Sequence, residues 1–454
     1  VTRLFPSLRP DERNDALGFV VVAFLLLVAH AALETARDSL FLAGLSSSEL
    51  PWVYLGVAVV APAVTRLSDR VGDLGDPFSA LLVAMAVVTF GTAVMSVLVV
   101  PEANWALYAL YIWTGSALTL AMIRFSLLSA SRFTVAEAKR VLPVVALGTS
   151  TGGIAGFAAA GALVGVASPY ALLWMGAAAY AAAGAAAWFL LRGEPFAEQT
   201  QAATNALSAG IPRETLFSST VRSLREPYVR YLSGLVVVAA ITVTFTDFLF
   251  KSAVDIYIEP DLMAPFFATA YFAFNVLSLL ATVLLVSPLI RRHGVVSALA
   301  VLPALLLVGS VGFAALGGIS IVVAMKAFDG SLRHSLNKTA VDLLYVPMPA
   351  QLRATVKSGV DVVAQRGGQV LAALVILALD PWSNAVFLTT IGVGLGAAAW
   401  LWIAYALRDE YLKLFRRALS DGAFEAVIDY PELGEADLAT VVRSLSDSNE
   451  DRVL

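Results

Sequence analysis

Residues 319–346, ISIVVAMKAFDGSLRHSLNKTAVDLLYV, restrict the fold more than any other stretch. They are long enough to cross a bilayer and lie among apolar runs of the same length. Yet they carry Lys326, Asp329, Arg333, His334, Lys338 and Asp342. A Lys, Arg or Asp at the centre of a membrane helix costs about 2.5–3.5 kcal/mol on insertion scales. A helix with this many charges cannot face lipid. It must face a wet cavity or place its charges against one another, and either solution needs other helices as walls. The composition supplies them. The 454 residues are 59% hydrophobic and 14% charged, where a soluble domain carries about a quarter charged residues. Mean hydropathy is +0.80. The chain is read as an all-α polytopic membrane protein.

The chain contains no cysteine, which excludes disulfides, thiolate metal sites and cysteine nucleophiles. His30, His293 and His334 are its only histidines and are scattered, so no metal centre is expected. No G-x-x-x-x-G-K-[ST] pattern occurs; Lys251-Ser252, Lys338-Thr339 and Lys357-Ser358 all lack the preceding glycine. There is no sign of an ATPase engine. Neither a catalytic residue, nor a cofactor, nor a nucleic-acid partner is expected. The chain is not read as an enzyme.

Taken in order, apolar spans are expected at about 16–42, 50–66, 78–100, 104–130, 142–166 and 169–191, and then at 229–251, 262–288, 295–317, 319–346, 355–379 and 384–407. That gives twelve transmembrane helices in two sets of six: an N-terminal bundle 1–191, a polar linker 192–227 and a C-terminal bundle 228–407. Gly148, Gly152, Gly156, Gly161 and Gly165 repeat at small-xxx-small spacing in the fifth span, which permits close helix packing. Twenty of the 30 Lys and Arg fall in the N-terminus, the linker, the start of the tail and the 2–3, 4–5, 8–9 and 10–11 loops. The opposite loops hold none clear of the membrane. Both termini are therefore expected in the cytoplasm, in a multi-pass inner (plasma) membrane protein. Residues 408–454 are expected to form a short soluble helical segment resembling the start of a HEAT-like array. A few such repeats bury little on their own, so a longer array and soluble partners for it are expected in the parent protein.

The two halves echo each other. Arg37 and Lys251 are 214 residues apart, Arg124 and Arg333 are 209 apart, and Lys139 and Arg353 are 214 apart. Parallel six-helix repeats with a site at their interface describe a major facilitator architecture. Asp69-Arg70-Val71-Gly72, in the turn after the second span, resembles that superfamily's D-R-x-G loop.

The charges inside the spans admit two readings. Asp247 with Lys251 and Lys338 with Asp342 stand at i,i+4, and Lys326 with Asp329 at i,i+3, spacings that suit ion pairs holding helices in register. On this reading Glu34, Asp38, Asp69, Arg70, Asp342 and Asp361 are gating or ion-pair residues. The sharper reading takes cations without a near acid. Arg124 has no acid between Glu102 and Glu137, Arg37 adjoins an Asp38 that points elsewhere on a helix, and Arg333 shares Asp329 with Lys326. These cations would converge on a central cavity and grip an anion, arginine through its bidentate fork. Trp113, Phe245, Phe328 and Tyr345 are near enough in sequence to stack on a base, although packing is the commoner role of such residues. His334 is a candidate proton carrier or a satisfied polar histidine.

Several strings carry a family resemblance. Thr134-Val135-Ala136-Glu137-Ala138-Lys139-Arg140 resembles the T-V-E-E-A-K-R segment of the ATP/ADP translocases of plastids and intracellular bacteria. Ala36-Arg37-Asp38-Ser39-Leu40 is similar to their T-K-D-x-L, and Asp247 to Lys251 to their E-x-x-x-K. Tyr345-Val346-Pro347, Arg353, Lys357 and Asp361-Val362-Val363 follow their Y-I-P…K…K-x-x-I-D-V-V run. The resemblance implies nucleotide exchange by alternating access, with Arg37, Asp247 and Lys357 where the family's functional charges stand. Arg124, Lys251, Lys326, Arg333 and Lys338 complete the set expected to bind a nucleotide or another small anion. Two alternatives stay open: a proton-coupled organic-anion transporter titrating Glu34, Asp247 or Asp361, and a membrane sensor or anchor for the C-terminal array.

Overall fold

The structure is a computed structural model. It describes residues 9, 12–72, 76–100, 103–192, 224–348, 353, 356–357, 359–379 and 384–420. Most of the polar linker and the tail beyond 420, with its expected HEAT-like helices, lie outside the described residues.

The helices follow the apolar runs. In the first half they are α1 (Arg13–Gly44), α2 (Leu50–Gly72), α3 (Pro77–Leu98), α4 (Asn104–Arg132), α5 (Val135–Val164) and α6 (Ala171–Leu190). In the second half come α7 (Pro227–Tyr257), α8 (Pro260–Ala281, extended by a π-helical turn Thr282–Val286) and α9 (Ser287–Leu316). Next is α10, which begins as Ile319–Leu332, widens into a π-helical turn Arg333–Asn337 and ends as Lys338–Leu344. α11 begins with the π-helical turn Val360–Ala364 and continues as Gln365–Leu379; α12 is Ala385–Ser420. Among the described residues nine segments are long and apolar enough to cross a membrane. The segment Pro260–Leu316 breaks inside at Gly294, whose φ of 79° is natural only for glycine. The charge-rich α10 and the short α11 are not among the nine. α12 continues without interruption past 407, where the tail was expected to leave the bundle, to Ser420.

Local chemistry sets the helix starts. Asp76 accepts from the backbone N–H of Phe78 and Ser79 ahead of α3. Thr134 and Glu137 form a reciprocal capping box at α5. Inside the bundle, buried hydroxyls such as Thr35, Thr114 and Thr246 donate to the carbonyl four residues back. That satisfies them where no water reaches.

Helices α1–α6 pack mainly among themselves, as do α7–α12. The α5 glycines explain the tightest contact. A Cβ on Gly148 would lie 2.8 Å from the carbonyl oxygen of Val20, and one on Gly152 2.3 Å from that of Phe24. Gly368 repeats this on α11, 2.7 Å from the carbonyl of Val237 on α7. α1 and α5 against α8, and α2 against α11, join the two groups. On the first seam a Cβ on Gly161 would lie 3.5 Å from that of Ala268, and one on Gly153 3.1 Å from the Asn275 side-chain oxygen. Toward the end where α5 begins the seam is looser: Leu142 and Leu147 on α5 and Val283, Leu284 and Leu285 on α8 are exposed.

Candidate functional site

A cavity of about 850 Å³ lies between the two groups of helices. Its depth follows from helix direction. Arg13 to Arg37 on α1 and Pro227 to Lys251 on α7 are equal lengths of helix, and the two cations meet at the cavity floor. The Tyr228 hydroxyl donates to the carbonyl of Leu344 at 2.6 Å, so α7 begins where α10 ends. Lys338, Asp342 and Lys357 therefore lie toward the end where α1 and α7 begin. Exposure rises in that direction. Side chains at the floor are almost dry (Asp38 0%, Lys251 3%), whereas Lys357 and Asp342 are 46% and 43% exposed. At the opposite end the chain is closed: the Ser47 backbone N–H donates to Asp255 at 2.8 Å, tying the start of α2 to α7.

The floor is a ladder of alternating charge. Arg37 makes a two-pronged contact with Asp38, at 2.9 Å through Nε and 2.8 Å through Nη2, and a longer one with Glu34 at 3.4 Å. Asp38 reaches Lys251 on α7 at 3.2 Å. Lys251 reaches Asp247 at 2.9 Å, and Asp247 reaches Lys326 on α10 at 2.7 Å. Lys326 meets Asp329 at 3.3 Å, and Asp329 meets Arg333 at 3.4 Å. Three tyrosines complete the ladder. Tyr271 donates to Asp38 at 2.7 Å and Tyr54 to Asp247 at 2.9 Å. Lys251 donates to Tyr111, whose ring also lies 4.4 Å below the Arg37 guanidinium. Each carboxylate thus answers the charges beside it, as burial in a low dielectric demands. The ladder, with Ser47 and Asp255, ties α1, α2 and α4 to α7, α8 and α10.

Above the ladder the wall is uneven. α7 offers an apolar strip that includes Leu235, Val236 and Val243, and α12 contributes Trp400. α10 offers Arg333, His334, Asn337, Lys338 and Asp342, and α11 offers Gln365 and Gln369. Lys357 binds Asp342 at 2.8 Å. Lys338 makes no ion pair among the described residues. Of the charged residues lining the cavity, Arg37, Lys251, Arg333, Lys338 and Lys357 are cations, against Asp247 and Asp342.

The structure gathers Arg37, Asp247, Lys251, Arg333, Lys338, Asp342 and Lys357 at the cavity, with Glu34, Asp38 and Lys326 in the ladder behind its wall. It corrects several expectations. Asp38 does not point away from Arg37, because the guanidinium folds back onto its neighbour. Asp342 pairs with Lys357 across helices, not with Lys338 on its own helix. Arg124 is buried on α4 and does not line the cavity. Asp69 and Arg70 are exposed at the end of α2 and form no ion pair among the described residues. The side chain of Asp361 lies outside the described residues. Trp113 donates to Thr92 at 3.1 Å and fills the space over Gly91, so it packs α4 on α3. Phe245 packs on Gly392, and Phe328 is 40% exposed. Tyr345 is buried, with Lys357 5.6 Å from its ring centroid. The aromatics that do meet the charges, Tyr54, Tyr111 and Tyr271, were missed. Their signal is a phenol hydroxyl inside an apolar span, a group that must find a partner.

No family model matches the sequence, and no curated protein matches it. Solved structures do match. The nucleoside transporter NupG aligns with a TM-score of 0.63 at 12% identity, covering 88% of this chain and 98% of that one. The human organic anion transporter MFSD10 (TETRAN) aligns at 0.56 and 11%, covering 88% and 100%. A POT family transporter in complex with a thioalcohol-conjugated peptide aligns at 0.59 and 10%, covering 87% and 96%. The chain is a multi-pass membrane protein with the fold of major facilitator superfamily transporters.

Proposed function

We propose that this protein is a transporter that moves a nucleotide or a related phosphorylated anion across the membrane by alternating access. The observation that carries this is the surplus of cations facing a closed-bottomed cavity between two helix groups. An anion entering it gains charge-assisted hydrogen bonds in a medium of low dielectric. The volume lies in the range of small-molecule sites, and the apolar α7 strip gives a base or similar ring a dry surface. NupG, MFSD10 and the peptide-bound transporter take a nucleoside, an organic anion and a peptide; among such cargoes the charges here favour an anion. The strings that resemble those of the ATP/ADP translocases support a nucleotide among the anions.

The architecture of this reading is twelve spans in two six-helix repeats, 1–191 and 228–407. Pro260–Leu316 counts as two spans divided at Gly294, and α10 and α11 complete the number. With both termini cytoplasmic, the orientation that the Lys and Arg distribution favours, the cavity opens to the cytoplasm and the ladder closes the outer end. Transport needs the ladder to part while the inner ends close.

The test is uptake of labelled ADP into proteoliposomes of the full chain. Uptake that saturates and requires internal nucleotide supports exchange. Acceleration by a pH gradient without internal nucleotide supports proton-coupled anion transport, for which His334 in the cavity wall is the observation in favour. Binding without flux by either route would overturn both.

A further inference from the structure

The cations at the cavity are not equivalent. Arg37, Lys251 and Lys326 each have carboxylates within 3.3 Å, and all three lie in the dry floor. To bind a solute they would first have to leave their partners. The π-helical turn of α10 offers a different arrangement. In a regular α-helix, residues five apart point about 140° away from each other. In a π-helical turn the i→i+5 hydrogen bond stacks them, and here the Lys338 N–H donates to the Arg333 carbonyl. The turn thus brings Arg333 and Lys338 onto one face, with His334 and Asn337 between them, and all four line the cavity. Arg333 contacts Asp329 at only 3.4 Å, and its Nε makes no hydrogen bond. Two cations are thus assembled here, Arg333 held only by its long contact to Asp329 and Lys338 without an ion pair among the described residues.

We propose that this π-helical turn is an oxyanion subsite in which Arg333 and Lys338 hold the phosphoryl end of the solute, while the ladder below serves as the gate. The inference rests on the cavity being an anion site, as proposed above. It assigns Lys338 the role of specificity-determining residue and takes Arg37, Lys251 and Lys326 out of first contact with the solute. Arg333 belongs to both parts, since Asp329 shares it with Lys326. An anion that takes Arg333 leaves Asp329 to Lys326 and loosens Lys326 from Asp247.

The test is calorimetric binding of ADP, inorganic phosphate and adenosine to the purified full chain, as wild type, Lys338→Gln and Lys338→Arg. Removing one charge-assisted contact should weaken ADP and phosphate binding tenfold or more. Adenosine binding should stay within twofold, and arginine should restore most of the loss. Elution and thermal unfolding of each variant show that it is folded, and the arginine variant keeps the test valid should glutamine impair folding. Equal ADP affinity in wild type and Lys338→Gln overturns the subsite while leaving the anion cavity intact. Equal losses for ADP and adenosine also overturn it. No binding of ADP or phosphate by wild type overturns the anion cavity itself, and the subsite with it.

Discussion

Changing Asp247 to asparagine keeps the shape of the side chain and removes one negative charge from the middle of the ladder. The carboxylate stands 2.9 Å from Lys251 and 2.7 Å from Lys326, two ammonium groups only 3% and 7% exposed. Removing one partner of a buried ion pair destabilises by about 3–5 kcal/mol. Here each lysine keeps a second carboxylate, Asp38 at 3.2 Å and Asp329 at 3.3 Å. The loss should therefore fall near the lower end, about 3 kcal/mol. The neutral amide can still accept from Tyr54, so the loss isolates charge from hydrogen bonding. Adding Lys326→Met restores the charge balance and should recover at least about 1.5 kcal/mol relative to additivity. Equilibrium unfolding in mixed micelles of wild type, both single variants and the double variant gives this cycle. Asp247→Asn within about 0.5 kcal/mol of wild type, with additive single changes, would refute the ladder as an energetically coupled unit.

Other consequences are as direct. Gly152→Ala places a methyl group 2.3 Å from the Phe24 carbonyl, backbone that cannot yield; it should cost about 1–3 kcal/mol or more in unfolding, whereas Gly165→Ala, whose nearest atom is 3.4 Å away, should be near neutral. Tyr271→Phe removes a 2.7 Å donor from the fully buried Asp38 and should destabilise by about 1.5–3 kcal/mol in the same assay. At the end where α1 begins, the hydrogen bond from Arg140 holds the Glu12 carboxyl below its ordinary value of 4.5, against the opposing pull of burial. A depressed carboxylate contributes stability that is complete above the ordinary value and lost as pH falls through the folded one; unfolding followed from pH 6 downward should show that slope in wild type and a shallower one in Arg140→Gln.

Much of the fold was legible because hydrocarbon leaves the backbone few choices. The apolar runs gave most helix ends within a few residues, although α5 begins seven residues early and α12 runs thirteen past 407, and the glycines of α5 announced a close neighbour, which proved to be the backbone of α1. Charges inside the spans called for either a cavity or one another, and both occur: most pair in the ladder, while Lys338 and Lys357 line the cavity. What stayed hidden was partner choice. Helical spacing gives the direction of each Cβ, but Arg37 is long enough to curl back to the adjacent Asp38. Asp342 had acceptable partners both on its own helix and across the cavity, and only the fold, which brings Lys357 within 2.8 Å of it, decides between them. Arg124 carries the same charge as its counterpart Arg333, but the rotation of α4 keeps it off the cavity. The π-helical turn of α10 left no sign in the periodicity, and it is what aligns Arg333 with Lys338.

The most direct test of the account is an experimental structure of the full chain with ADP at saturating concentration. The account predicts phosphate density against Arg333 and Lys338, the nucleoside along the apolar strip of α7, and below it the Lys251–Asp38 contact, with Lys326 drawn from Asp247 toward Asp329. An empty cavity under those conditions, or ADP bound away from α10, would contradict it.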